Sequence, residues 1–396
     1  MDYQHYRTAL AETLAQSELP FTLTEYQTRL DKVRHAMAQR GLDALLLTDP
    51  ADINYLTGYH TFEVSVHACL VCTPTQLVLQ VASIETGAAV VTARVDEIIG
   101  YRWENLDEII TPLADLLTAC EHIGIDGWSS GLRVGLMDAL ARSVGKERFC
   151  EAGDLLDTIR IVKSSAELEM LSESARITAA GLEAAMAAIR PGMTDNDIAA
   201  IGAQALLENG SEFMSLQPIV TSGHRIGVIH VNHKRRVIQP NEPIFLEFGA
   251  AYQRYTAPMM RTAVTGEPHA ELTATRDLCR SLFETLCSHM KPGNTFDDAA
   301  QAADALLAPS RDQLFFSGVF GYAVGAQFPP SWVEGTGYIA QGLHRPFEEN
   351  MVFHLPLCLR VPGQWGVGIS DTVVVTQHGA EPLTNNDWQL YQAMDK

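Results

Sequence analysis

The sequence predicts a two-domain α+β protein, with a smaller α/β unit over residues 1–157 and a larger, pseudo-symmetric α+β unit over 158–396. Three observations carry this. At roughly 150 residues per domain, a chain of 396 residues is long for one core. A helix that feeds a series of apolar strands stands near its start. In the second half, Arg190-Pro191-Gly192-Met193-Thr194-x-x-Asp197-x-Ala199 is echoed 101 residues later by Lys291-Pro292-Gly293-Asn294-Thr295-x-x-Asp298-x-Ala300.

In the first unit, TEYQTRLDKVRHAMAQR repeats Leu30, Val33, Ala36 and Met37 at helical spacing, and Gly41 supplies the stop. DALLLT, VHACLVC, QLVLQVA and HIGIDG then read as strands. Ser164, three residues before Glu167, has capping-box spacing, so a long helix is expected from Ser165 to the Arg190-Pro191-Gly192 turn. The stretch 155–164 is therefore the domain boundary. Each copy of the repeat reads as helix, Pro-Gly turn, capped helix and strands. Two copies predict strands joined into one sheet with a cleft between the halves.

Composition narrows the function. With 28 Lys+Arg against 48 Asp+Glu, the formal charge of -20 repels phosphate backbones and anionic membranes, which excludes nucleic acid as a partner. No run approaches the roughly 18 apolar residues of a membrane span, and the opening MDYQHYRTALAETLAQ lacks a leader pattern. A cytoplasmic protein is expected. Seven scattered cysteines do not form a disulfide framework, and Cys69-x-x-Cys72 lies in a strand-like run without a second pair, so it reads as two buried thiols.

Arg160-x-x-Lys163-Ser164, Arg190-Pro191-Gly192-Met193, Phe248-Gly249-Ala250, Tyr255 with Arg261-Thr262, and Asp371-Thr372-Val373 follow one another in an order that resembles the pita-bread family of methionine aminopeptidases, prolidases and creatinase. The resemblance spans the chain and implies a creatinase-like N-terminal domain before a pita-bread catalytic domain. Metallopeptidases of that family hold two metal ions with two Asp, one His and two Glu. The corresponding positions here are Glu247, Pro258, Tyr322, Pro356 and Ser370. A catalytic metal needs about three protein ligands of suitable chemistry, so no metal and no other cofactor is expected.

Leu56-Thr57-Gly58-Tyr59 with His67 downstream, Gly321-Tyr322 followed by Phe328-Pro329-Pro330-x-Trp332-x-Glu334, Met351-x-Phe353-His354 and Trp365-Gly366 resemble the metal-independent ectoine hydrolases. This implies hydrolysis of a C–N bond in a small cyclic amidine, ectoine to N-acetyl-2,4-diaminobutyrate. Creatinase has Glu where Met260 and Pro356 stand here, which weighs against creatine.

Such chemistry needs a carboxylate to attack or to deprotonate water, and an acid for the departing nitrogen. Glu247, flanked by Phe245, Leu246 and Phe248, is the expected catalytic carboxylate, and a salt bridge to Arg261 is the competing structural reading. His230 or His233 in VIHVNHKRR is the expected proton shuttle; His230 reads as part of an alternating strand, His233 lies at its more polar end, and His230 is favoured. Tyr322 replaces the metal-binding His. Trp332, Glu334, His354 and Trp365 are expected to contact a compact zwitterion, with Glu334 a second carboxylate. Tyr55, Phe62 and His67 are expected to do so from the N-terminal domain of the neighbouring subunit, since the family resemblance implies a homodimer. A prolidase-like peptidase, a creatinase-like amidinohydrolase and a ligand-binding pseudo-enzyme are the alternatives.

Overall fold

The computed structural model describes residues 2–393 and divides into two compact units after Arg160. Each has its own core.

The first unit is built on a mixed six-stranded sheet. Its strands run spatially as Glu97–Tyr101, Leu77–Ala82, Cys69–Cys72, Ala44–Leu47, Ile123–Ile125 and Phe149–Glu151. Helix Leu23–Arg40 precedes the sheet's first strand. The Thr22 hydroxyl accepts from the Glu25 N–H at its start, and it stops at Gly41, whose φ of +67° is a left-handed conformation that glycine adopts without penalty. Its buried stripe is Tyr26, Leu30, Val33 and Met37. Arg29 is buried on the same helix, its guanidinium 4.2 Å from the Phe21 ring centroid and 4.5 Å from that of Tyr55, with Glu25 at 2.9 Å. The cysteines are free thiols, and burial raises those of Cys69 and Cys72 above the usual range.

The second unit contains the repeat. Helices Ser165–Ala188 and Asp195–Glu208 form one pair, Ala270–His289 and Phe296–Leu307 the other. The second helix of each pair opens on the same device: Thr194 with Asp197, and Thr295 with Asp298, exchange side-chain-to-backbone hydrogen bonds as capping boxes. Ser164 and Glu167 cap the long first helix in the same way.

The strands differ from the expected single sheet. One sheet runs Tyr391–Ala393, Met259–Thr265, Pro243–Phe248, Ile219–Ser222, and a second runs Val333–Ile339, Gly321–Val324, Val352–His354, Thr372–Thr376, Gly379–Pro382. A separate hairpin pairs Leu357–Val361 with Trp365–Ile369. Pro356 separates this hairpin from Val352–His354, and a residue without an N–H cannot carry a ladder onward. The halves are joined instead by local bonds: Met260 N–H to Ser370 Oγ at 2.7 Å, Ser370 N–H to Met260 C=O at 3.2 Å, and Thr262 Oγ1 to the Gly368 carbonyl at 2.9 Å. Among the described residues no helix is long and apolar enough to cross a membrane.

Candidate active site

Where the two sheets meet the hairpin, the second unit encloses a cavity of about 300 Å³. Strand alternation builds its walls. In Pro243–Phe248, Ile244, Leu246 and Phe248 enter the core beneath, while Phe245 and Glu247 line the cavity. At the hairpin, Leu355, Leu357 and Leu359 enter the other core, and Pro356, Cys358 and Arg360 face the cavity. Ile226, Phe245, Met260 and Cys358 form its apolar floor.

Glu247 sits opposite Met260 and Ile219 in the ladder and is 8% exposed. Among the described residues its carboxyl has no hydrogen-bond partner. Burial pushes its pKa up to about 8, against the pull of Arg360. Arg261, the competing partner, pairs in register with Leu246 and instead reaches the Asn385 carbonyl and, at 3.7 Å, Asp387. Arg360 is braced by its Nε donating to the Ile226 carbonyl at 3.1 Å.

Tyr322 stands on Gly321–Val324. Its hydroxyl accepts from Trp332 Nε1–H at 2.9 Å and meets His354 Nδ1 at 2.7 Å. Burial and the charge of Glu247 hold the phenol well above its ordinary pKa. Gly249 is what lets the Trp332 ring lie so close, since a Cβ there would come within 2.9 Å of it.

His230 lines the cavity, but not from a strand. Residues 228–234 form an irregular segment after the 3-10 turn Gly223–Gly227, and His230 has a φ of +58°. The apolar alternation of Val228, Ile229 and Val231 belongs to the cavity rim, where Val228 and Ile229 are 44% and 46% exposed. Asn232 ties this segment to the neighbouring strand, its Oδ1 accepting from Val220 N–H at 3.0 Å and its Nδ2 donating to the Pro218 carbonyl at 3.1 Å.

The structure thus brings Glu247, His230, Tyr322 and Trp332 to one cavity, while His233, Glu334, His354 and Trp365 of the same unit do not line it. His233 is off the wall, with a buried Nδ1 that lacks a partner among the described residues. Glu334 is buried in an ion pair with Lys163 at 2.8 Å. His354 lies behind Tyr322, and Trp365 packs edge-on against His269 with ring centroids 5.0 Å apart. In the first unit, Tyr55 is a wall of the Arg29 cage, His67 is buried beneath Tyr101, and Phe62 is 77% exposed. Arg360 was missed. Its signal was the alternation in LPLCLRV, which puts Arg360 on the face of Pro356, a position already tied to the site.

The donor set does not fit the dinuclear metal centre that the resemblance implies. Pro258 and Pro356 have no side-chain donor, and the Tyr322 and Ser370 hydroxyls are committed to Trp332 and His354. Among the described residues no three His, Cys, Asp or Glu are grouped to hold a metal ion.

Comparison with known proteins matches residues 29–162 to the creatinase/prolidase N-terminal domain and residues 169–377 to metallopeptidase family M24. An ectoine hydrolase from Halomonas elongata is 28% identical, the alignment covering 96% of this chain and all of the relative. A Xaa-Pro dipeptidase from Pyrococcus furiosus is 23% identical over 91% of this chain and 99% of its own. The solved prolidase from Pyrococcus horikoshii superposes with a TM-score of 0.79 at 22% identity, covering 91% of this chain and 99% of that one.

Proposed function

This chain belongs to metallopeptidase family M24, preceded by a creatinase/prolidase N-terminal domain, and from that premise we propose that it is a metal-independent hydrolase opening a C–N bond of a small cyclic amidine, ectoine foremost. The observation that carries this reading is the buried Glu247 carboxyl, without a hydrogen-bond partner among the described residues and sharing an apolar cavity with Arg360. A zwitterion satisfies both groups: its amidinium beside Glu247, its carboxylate on Arg360. The full-length similarity to an ectoine hydrolase supports the choice of substrate.

In this reading the Glu247 carboxylate takes a proton from water as the water oxygen bonds to the amidine carbon and the C=N π pair moves onto nitrogen. Glu247 returns that proton to the ring nitrogen. The C–N bond then breaks, the new hydroxyl becomes the amide carbonyl, and its proton passes to the released amine. His230, on the exposed rim, relays protons to solvent, and the Trp332 indole holds Tyr322 at the reacting centre. The homodimer is part of the proposal, with the exposed Phe62 ring as the surface it would cover.

The deciding experiment incubates metal-depleted protein with ectoine, hydroxyectoine, creatine and Xaa-Pro dipeptides, and reads the gain of one water by mass spectrometry. Ectoine opening that persists in EDTA is expected. Dipeptide cleavage restored by Mn, Co or Zn would replace this reading with a prolidase-like one.

A second expectation concerns protons. The charged and titratable groups around Glu247 on the cavity walls are Arg360, Tyr322, Cys358 and His230. Arg360 opposes the upward shift, and Cys358, raised to about 11, stays neutral. With its pKa near 8, Glu247 is protonated at pH 7 in the free protein, and a bound amidinium favours the carboxylate. Binding at pH 7 should therefore release about one proton, seen as buffer-dependent heat in calorimetry. The value of kcat/KM, which reports the free enzyme, should rise with pH through about 8, and kcat should rise at lower pH. Binding heat that is the same in every buffer would remove Glu247 as the cation's partner.

A further inference from the structure

Behind Tyr322 lies a chain of buried groups whose protons can be assigned by counting donors and acceptors. Trp332 Nε1–H donates to the Tyr322 hydroxyl, and Met260 N–H donates to Ser370 Oγ. Between the two hydroxyls lies the His354 imidazole, Nδ1 at 2.7 Å from Tyr322 Oη and Nε2 at 2.6 Å from Ser370 Oγ. Indole and backbone N–H groups can only donate, so one lone pair of each hydroxyl is already taken. His354 is fully buried, and burial pushes its pKa down to about 3, so the ring carries one proton at neutral pH.

Two arrangements are possible. With the proton on Nε2, the ring donates to Ser370 Oγ, and the Ser370 hydroxyl proton has no acceptor among the described residues, at a position with no solvent exposure. A buried donor left unmet costs about 1–3 kcal/mol. With the proton on Nδ1, Ser370 O–H donates to Nε2 and Nδ1–H donates to Tyr322. Both lone pairs of Tyr322 are then occupied from behind, and its own O–H is directed into the cavity that holds Glu247. This second arrangement moves the one hydroxyl proton without a partner among the described residues from the sealed Ser370 to Tyr322, where water or a ligand in the cavity can accept it.

We propose that Ser370 and His354 are positioning residues that fix Tyr322 as a hydrogen-bond donor to the ligand in the cavity. Ser370 stands at one of the positions where the metallopeptidases carry a ligand, so a lost ligand position here serves to orient a phenol. The ligand's identity rests on the function proposed above; the orientation of Tyr322 does not. In the amidine reading, the donor meets the oxygen that water places on the ring carbon, where negative charge develops as that hydroxyl gives up its proton.

The test has two arms. The first is long-range ¹H–¹⁵N NMR of the uniformly labelled full chain at pH 7, with the His354 signals assigned among the 13 histidines by their loss in His354→Gln and their shift in Ser370→Ala. A neutral ring protonated at Nδ1, with pyridine-like Nε2, is expected; protonation at Nε2, or at both nitrogens, overturns the proposal. This arm needs no turnover, so it decides the orientation even if amidines are not substrates. The second arm is kinetic. Tyr322→Phe should lower kcat by about 10²- to 10³-fold, the usual effect of removing such a donor. Ser370→Ala should lower kcat by about tenfold or more, equivalent to about 1.4 kcal/mol, with KM little changed, and Ser370→Thr should restore it. In the Tyr322→Phe background, Ser370→Ala should cost nothing further. A full Ser370→Ala loss in that background would mean that Ser370 acts through something other than Tyr322, and would overturn the assignment.

Discussion

Glu247→Gln is expected to lose about 10²- to 10⁴-fold in kcat, the range typical of general acid–base groups, while melting at a higher temperature than the parent. The amide keeps the volume of the side chain but neither accepts the proton of water nor returns one to the leaving nitrogen. The stability gain follows from linkage. Folding raises the Glu247 pKa to about 8 from the ordinary 4.5, so the folded state favours the protonated form. Below pH 4.5 both states are protonated and the shift has no effect. As pH rises from there the folded protein is progressively penalised, until the penalty levels off above pH 8. Near pH 7 this is of order 3 kcal/mol. Melting curves of the two proteins should therefore coincide near pH 4 and separate towards pH 8. Wild-type kcat in Glu247→Gln would take this residue out of the chemistry, and equal melting at all pH values would mean that its carboxyl is solvated.

Glu334→Ala should behave in the opposite way, with a large loss of stability and an intact reaction. Its carboxylate lies 2.8 Å from Lys163 Nζ, accepts from Thr336 Oγ1 at 2.9 Å, and belongs to a pair whose side chains are 2% and 0% exposed. Removing one member of such a pair strands the other charge in the interior, which costs about 3–5 kcal/mol. Replacing both at once, Lys163→Met with Glu334→Leu, should recover most of that loss, because no uncompensated charge remains. Chemical denaturation measures the first effect and kcat at a permissive temperature the second. A Glu334→Ala protein as stable as the parent but catalytically dead would restore Glu334 to the site.

These two carboxylates mark what the sequence discloses. Glu247 reads as part of an apolar strand and Glu334 as part of a loop behind Trp332, and neither setting tells whether a cation meets the carboxylate. The difference is a lysine 171 positions away, brought to Glu334 by the fold and not to Glu247. The same holds for Tyr55, whose ring is taken by Arg29 in a preceding helix. Local physics was readable: the caps at Ser164, Thr194 and Thr295 each depend on residues within three positions, and the last two stand at matching places in the repeat. Glu247 and Tyr322 were readable because both stand at vacated ligand positions, and Trp332 because it belongs to the Pro329-Pro330-x-Trp332-x-Glu334 motif. VIHVNH misled because the apolar side chains of a cavity rim imitate the period of a strand.

The alternation that builds the cavity also governs how its specificity can change. Phe245 and Cys358 each sit between two residues that fill the cores below, so reshaping the floor disturbs the packing of the domain at the same time. Val228, Ile229, Pro330 and Ser331 line the same space from irregular segments and have no such double duty. Variants with a new substrate range should therefore be found at these rim positions, while the floor and its carboxyl persist. The fold separates what the protein does to a molecule from which molecule it accepts.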